Sequence, residues 1–470
     1  MGHTPSLAAG AGGSDAPKRS LILAGGGMRV AWQAGVLCAL EEAGLAYADA
    51  DGTSGGTMTL GMLLSGRSPR EMCERWRTLD VHGFSAPLRP LRTYLHTPRL
   101  PGLGGADGIV KKVYPHLGID VDSIRSAEGI EGNFNLCNHV TKANESIGHR
   151  DVDIEALVGA VSLPIFMPPV RHNGALYNDS AWIKDANLLA AMKRGCEELW
   201  IIWCIGNTPE YRNGAFFQYV HMMEQSGNGV LFEEFGQIED LNEQIRAGSS
   251  PYGQRRPIVA HVIKPRYAIP LDPDFYFGRV DAATLVAMGY RDASRYLDAM
   301  DPAGVAMTPA ATRQRQPGIS VWWREAHAGE LGDGRLELDL SVEVPDAGHF
   351  GSPDEAAELA GRIRSPAFGD VLLRDGSVTL ASGELVYDGV FASGGRRVHL
   401  RGHRSAAGGA PMSVELTDEG GAPLGSGRLR SLGGGPPPAR RLSVTNAPST
   451  WRRLATEAAF RCRVARQALR

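Results

Sequence analysis

The sequence predicts an α/β protein: a mainly parallel sheet covered by helices over residues 19–302, then an antiparallel β domain and a terminal helix. Two strand–glycine turn–helix units follow one another near the start of the chain. After Asp301-Pro302 the pattern changes to strict apolar–polar alternation, and the last twenty residues combine an apolar stripe with six arginines. A chain of 470 residues exceeds what one hydrophobic core serves, so at least two domains are expected.

Residues 1–18 are small and polar and are expected to be disordered. They hold no basic stretch followed by an apolar core of signal-peptide length. The first strand is Leu21-Ile22-Leu23-Ala24, halted by Gly25-Gly26-Gly27. Trp32, Val36, Leu37, Leu40 and Leu45 then recur at helical spacing. A second unit runs from Ala46 to Asp51, through a glycine-rich turn, into Met58, Leu60, Met62, Leu63 and Leu64. Further strands are expected at Asn133–His139, Leu199–Ile205 and Ile258–Ile263. Strands alternating with helices call for a parallel sheet covered on both faces. The helical run Asp281–Met300 is expected to close this first domain.

From about 308 to 432 the segments Leu336–Val344, Val378–Leu380, Leu385–Tyr387, Val398–Leu400 and Met412–Leu416, with Leu429, lie between glycine-rich turns. They predict an antiparallel barrel or sandwich. Residues 433–448, opening on Gly433-Gly434-Gly435-Pro436-Pro437-Pro438, read as a linker. Residues 449–470 read as a basic amphipathic helix with a stripe of Trp451, Ala455, Ala458, Cys462, Ala465 and Leu469. Docking on its own protein is the simpler reading, with contact to an anionic membrane surface as the alternative.

Composition narrows the function classes. A net charge of −3 gives no reason to expect nucleic acid as a partner. No stretch reaches the roughly 18 apolar residues of a membrane-spanning helix. Six scattered cysteines, without a Cys-x-x-Cys pair, give no metal site and suit a cytoplasmic, reducing location without excluding export; Cys38 and Cys204, inside apolar runs, read as buried thiols.

The chemical signal lies in three places. Gly52-Thr53-Ser54-Gly55-Gly56 joins a strand to a helix as a Gly-x-Ser-x-Gly elbow, whose small residues allow the tight turn that exposes a nucleophilic hydroxyl. Gly25-Gly26-Gly27-Met28-Arg29 offers backbone N–H groups at a helix start, suited to an oxyanion. A dinucleotide-binding loop would need glycine where Val30 stands. Third, Ser162-Leu163-Pro164 and Phe166-Met167-Pro168-Pro169-Val170 build a rigid apolar loop ahead of Asp179. Only about one strand–helix unit precedes Ser54, too few for an α/β-hydrolase with a Ser-His-Asp triad. His82, His96, His172, His221 and His261 are accordingly read as structural.

In order and spacing these three elements resemble the patatin-like phospholipase family over residues 20 to 300. The similarity extends to Gly35-Val36-Leu37, Leu40-Glu41 and Gly289-Tyr290-Arg291-Asp292-Ala293. It implies a three-layer sandwich and lipid acyl hydrolysis by a Ser-Asp dyad without cofactor. Ser54 would be the nucleophile and Asp179 its base. Gly25, Gly26, Gly27, Met28 and Gly55 would hold the oxyanion, with Arg29 bracing the loop or neutralising an anionic head group. The implied partner is a lipid or fatty-acyl ester, with peripheral membrane contact. Two positions depart from the family pattern: Val30 replaces a glycine, and Ser180-Ala181 follows Asp179 where Gly-Gly or Gly-Ala is usual. These departures leave a second reading open, a catalytically decayed module that binds lipid or a partner. Transfer of the acyl group to an alcohol instead of water also stays open, as does an independent role for the β domain.

Overall fold

The computed structural model describes residues 2–8, 16–84, 102–332, 334–352, 355–408, 410–433 and 442–468. Two compact units emerge: residues 1–272 with 299–315, and residues 273–298 with 316–470.

The first unit is built on an eight-stranded mixed sheet. Its strands are β1 (Arg19–Leu23), β2 (Asp49–Thr53), β3 (Glu131–Asn138), β4 (Asn144–Gly148), β5 (Val170–His172), β6 (Ala175–Asp179), β7 (Glu198–Ile202) and β8 (Val259–Ile263). The path is β5-β6-β3-β2-β1-β7-β8, with β4 also on β3. The run from β3 through β2, β1 and β7 to β8 is parallel. β4, β5 and β6 are added antiparallel.

β2 reads Asp-Ala-Asp-Gly-Thr and is buried throughout. A central strand with two acids needs partners for both. Arg194 grips Asp49 at 2.6 and 2.9 Å, and Ser20 adds a hydroxyl at 2.6 Å. Asn135 donates to Asp51 from the neighbouring strand.

The register around β3 positions the chemistry. β4 runs along one edge of β3 from Asn133 to Cys137. On the other edge β2 pairs up to Thr53–Asn135, and β6 pairs from Asp179–Leu136 onward. β2 and β6 therefore meet end to end on a single edge, which brings position 54 against position 179.

The second unit holds a closed antiparallel barrel. Its strands are β9 (Ser320–Leu331), β10 (Gly334–Val344), β11 (Ala357–Ser365), β12 (Gly369–Ala381), β13 (Glu384–Ser393), β14 (Arg396–Ser405), β15 (Met412–Asp418) and β16 (Pro423–Ser431). Each strand pairs with the next, and β16 returns to β9, so eight strands close a ring. Closure removes the exposed edges that a sandwich would keep. Leu336, Leu338, Leu340, Val342 and Val344 point into a buried apolar core, as their alternation predicts.

Four expectations change. Residues 2–8 are ordered: Leu7 is buried, and His3 and Leu7 make backbone hydrogen bonds to Ser126, Glu128 and Tyr47. Residues 9–15 lie outside the described residues. The helix Ala282–Asp298, expected to close the first domain, groups with the barrel and packs on β11 and β12. Charge explains the grouping, because Arg291 and Arg295 pair with Glu358, and Arg295 also with Asp375. In the 433–448 linker, Ser443–Thr445 form a short strand β17 on β9, while residues 434–441 lie outside the described residues.

The fourth change concerns the terminal helix, Thr450–Ala468. It buries Phe460 and Val464 instead of the expected stripe, and leaves Trp451 82% exposed. The Phe460 ring stacks on Phe350 at 5.5 Å and lies 6.1 Å from Trp323, which fixes the helix's rotation.

Candidate active site

Ser54 is the pivot between β2 and the helix Gly55–Leu64. Its φ of 52° and ψ of −126° are costly for a residue with a side chain. Tight packing enforces the turn. A Cβ on Gly56 would stand 2.1 Å from the Leu23 carbonyl oxygen, so only glycine lets the helix start so close to β1. The side chain that results is 7% exposed.

Asp179 ends β6 and is 1% exposed. Its N–H donates to the Ser162 carbonyl at 3.0 Å, so the Ser-Leu-Pro loop fixes where β6 stops. Oδ1 accepts the Ala181 N–H at 2.9 Å, whereas Oδ2 is buried and short of a full hydrogen bond. Burial pushes the carboxyl up to about 7, against the opposing pull of the Ser54 hydroxyl and the Ala181 N–H. The structure thus brings Ser54 and Asp179 together.

Both departures from the family pattern have a local explanation. Ser180 and Ala181 are buried in a 3-10 turn, and neither takes a positive φ, so glycine is not needed at either position. The Ser180 hydroxyl donates to Asn144. Val30 has φ −65° and is fully buried, filling the space beside Gly26 and Gly55.

The glycine loop is braced from three sides. Gln33 donates to the Ala24 carbonyl at 2.7 Å and is itself held by Thr59 at 2.7 Å. Arg29 Nε donates to the Gly26 carbonyl at 3.0 Å, which makes the guanidinium a brace of the loop. Gly27 takes φ 59° and packs against Gly55.

Two of the five expected oxyanion donors point elsewhere, which corrects the set read from sequence. Gly25 N–H donates to Asp185 Oδ1 at 3.1 Å, and Met28 N–H to Asp272 Oδ1 at 3.2 Å. Among the described residues, the N–H groups of Gly26, Gly27 and Gly55 have no such partner.

Asp185 and Asp272 were not legible as site residues, since they lie 160 and 244 positions from the groups they hold. Asp185 is 1% exposed. Burial, then the nearby Asp179 charge, push its carboxyl up to about 8, while the Gly25 N–H and Arg29 oppose the rise. Gly227, on the long helix Ala215–Arg246, backs its Cβ.

An aromatic group borders the site. Trp182 and Phe166 each meet Tyr219 edge-on, at 5.2 and 5.4 Å. Phe216 and Met222, on the same helix as Tyr219, are exposed. Three of the histidines read as structural are engaged elsewhere: His172 with Asp153, His221 with Glu224, and His261 stacked on Trp200. His96 lies outside the described residues. No group of three His, Cys, Asp or Glu able to hold a metal ion occurs among the described residues.

This arrangement agrees with the comparison to known families, in which the patatin-like phospholipase model matches residues 21–192. Those residues are similar to a patatin-like phospholipase domain. The matched stretch takes in the glycine loop, the elbow, Asp179 and Asp185. It supports a lipid esterase in general. The chain also shows similarity to a crystal structure of VipD from Legionella pneumophila, at 14% identity over 60% of this chain and 67% of that one, with a TM-score of 0.33. No curated protein sequence matches the chain. Among the described residues no helix is long and apolar enough to cross a membrane.

Proposed function

We propose that the protein hydrolyses lipid acyl esters by a serine mechanism, with Ser54 as nucleophile and Asp179 as its base. The observation that carries this reading is a buried, proton-hungry carboxylate facing a strained serine, where β2 and β6 meet on one edge of β3. A free aspartate, with a pKa of about 3.9, is a weak base near neutrality. Burial of Asp179 makes it a better one.

Ser54 Oγ attacks the ester carbonyl while Asp179 accepts its proton. Negative charge then develops on the carbonyl oxygen, and the N–H groups of Gly26, Gly27 and Gly55 stabilise it. Collapse of this intermediate expels the alcohol, which takes the proton back from Asp179, and leaves an acyl group on Ser54. Water, deprotonated by the same carboxylate, attacks the acyl group, and collapse releases the acid as Asp179 returns that proton to Ser54 Oγ. The aromatic rim of Phe166, Trp182 and Tyr219 suits an acyl chain.

An active-site-directed fluorophosphonate tests the reading. It should label the wild-type chain and fail to label Ser54→Ala. Equal labelling of both would remove Ser54 from the mechanism.

The pH profile gives a second test. Asp179 acts as a base only when ionised, so kcat/KM should rise tenfold per pH unit below about 7 and level off above it. Stability should move the opposite way. The carboxyl is raised above its unfolded value, so the folded state holds the extra proton between about 4 and 7, and this group's contribution to stability falls as pH rises through that window. A rate that declines across the same range would contradict the assigned role.

A further inference from the structure

Arg29 and the Met28 N–H look like a seat for an anion, and in this structure the seat is filled from within. Asp272 Oδ1 accepts the Met28 N–H at 3.2 Å and lies 3.9 Å from Arg29 Nε. Its Oδ2 stands 2.2 Å from where a Cβ on Gly27 would lie, so the absence of a side chain at Gly27 is what admits it. Arg29 is already bonded to the Gly26 carbonyl; burial pushes the carboxyl groups of both Asp185 and Asp272 up, and the Arg29 charge opposes that rise at each. One guanidinium thus answers for several carboxyl groups around the loop, and among the described residues its charge is already spoken for.

We infer that Asp272 sets the head-group selectivity of this site, favouring acyl esters with an uncharged polar end over those with a phosphate beside the ester. The inference rests on the ester-hydrolase reading and names its substrate class. A phosphate brought to the loop meets the Asp272 carboxylate at a few ångströms. Repulsion of like charges at that range, at a partly screened boundary, weakens binding on the order of tenfold or more. A glyceride hydroxyl meets no such penalty. The Asp272 side chain is 41% exposed, and its carboxylate can accept a hydrogen bond from that hydroxyl.

The test uses the full chain and two substrates with identical acyl chains in neutral-detergent micelles, a diacylglycerol and a phosphatidic acid. Wild type should favour the diacylglycerol in kcat/KM by roughly tenfold or more. Asp272→Asn keeps an oxygen acceptor for Met28 N–H and removes the charge. It should shrink that preference about tenfold, chiefly by a gain on phosphatidic acid. An unchanged ratio, or a rise equal on both substrates, overturns the selectivity role; the equal rise would mark Asp272 as a general block. If wild type hydrolyses neither lipid and takes no fluorophosphonate, the ester-hydrolase reading falls and this inference with it. Labelling and turnover with an unaltered ratio sink the Asp272 inference alone.

Discussion

Asp179→Asn should lower kcat for ester hydrolysis by roughly 10²–10⁴-fold, the range that loss of a positioned general base produces. The amide has nearly the shape of the carboxylate, and its oxygen can still accept the Ala181 N–H. It cannot take a proton from Ser54. The fold should survive, because the change removes a buried ionisable group whose proton affinity is already raised by burial. The melting temperature above pH 7 should therefore hold or rise while turnover collapses, and the inflection near neutrality should vanish. Ser54→Ala should reach a similarly low rate, and the double variant should fall little further, since the two groups act as one unit. Turnover near wild type in a folded Asp179→Asn protein would exclude this carboxylate as the base.

The glycine loop, the elbow and Asp179 were legible because each is a local pattern whose physical reason is carried by adjacent residues. Gly56 shows this most plainly: the close approach to Leu23 needs glycine whatever the rest of the chain does. What joined Ser54 to Asp179 was the family resemblance that the three motifs carry; the end-to-end meeting of β2 and β6 on β3 supplies the geometry. Asp185 and Asp272 stayed hidden because an acid beside a distant backbone N–H leaves no periodic mark in the sequence.

The barrel was half legible for a related reason. β10 alternates cleanly from Leu336 to Val344, and that stretch is legible in the sequence. In β11 the run Ala357–Gly361 is buried on both faces, since the helix Ala282–Asp298 packs on this strand's outer side, and the period-two signal disappears. β9 carries Val321-Trp322-Trp323, an unbroken apolar run that likewise shows no period of two. Alternation identifies strands, and only the return of β16 to β9 decides between a barrel and a sandwich.

The same barrel carries the second large expected effect. Glu325 is fully buried in its interior, where it accepts the Tyr387 hydroxyl at 2.5 Å, His327 Nε2 at 3.0 Å and an Arg404 N–H. Burial by itself would push this carboxyl up. The hydrogen bond and charge of His327, then Tyr387 and Arg404, outweigh it and hold the group down to about 2. A depressed folded value means that the network's contribution is present above the unfolded value of about 4.3 and is lost as pH falls toward 2. Arg404→Met removes the guanidinium and leaves a buried carboxylate with too few partners, at a cost of about 3–5 kcal/mol. Replacing Glu325 and Arg404 together by leucine and methionine should cost far less, because no charge is then stranded. Urea unfolding of the three proteins, followed by circular dichroism in the β region, reads the difference. A single variant within about 1 kcal/mol of wild type would show that water or a shifted proton already relieves Glu325, and that the barrel's stability rests on its leucine core alone.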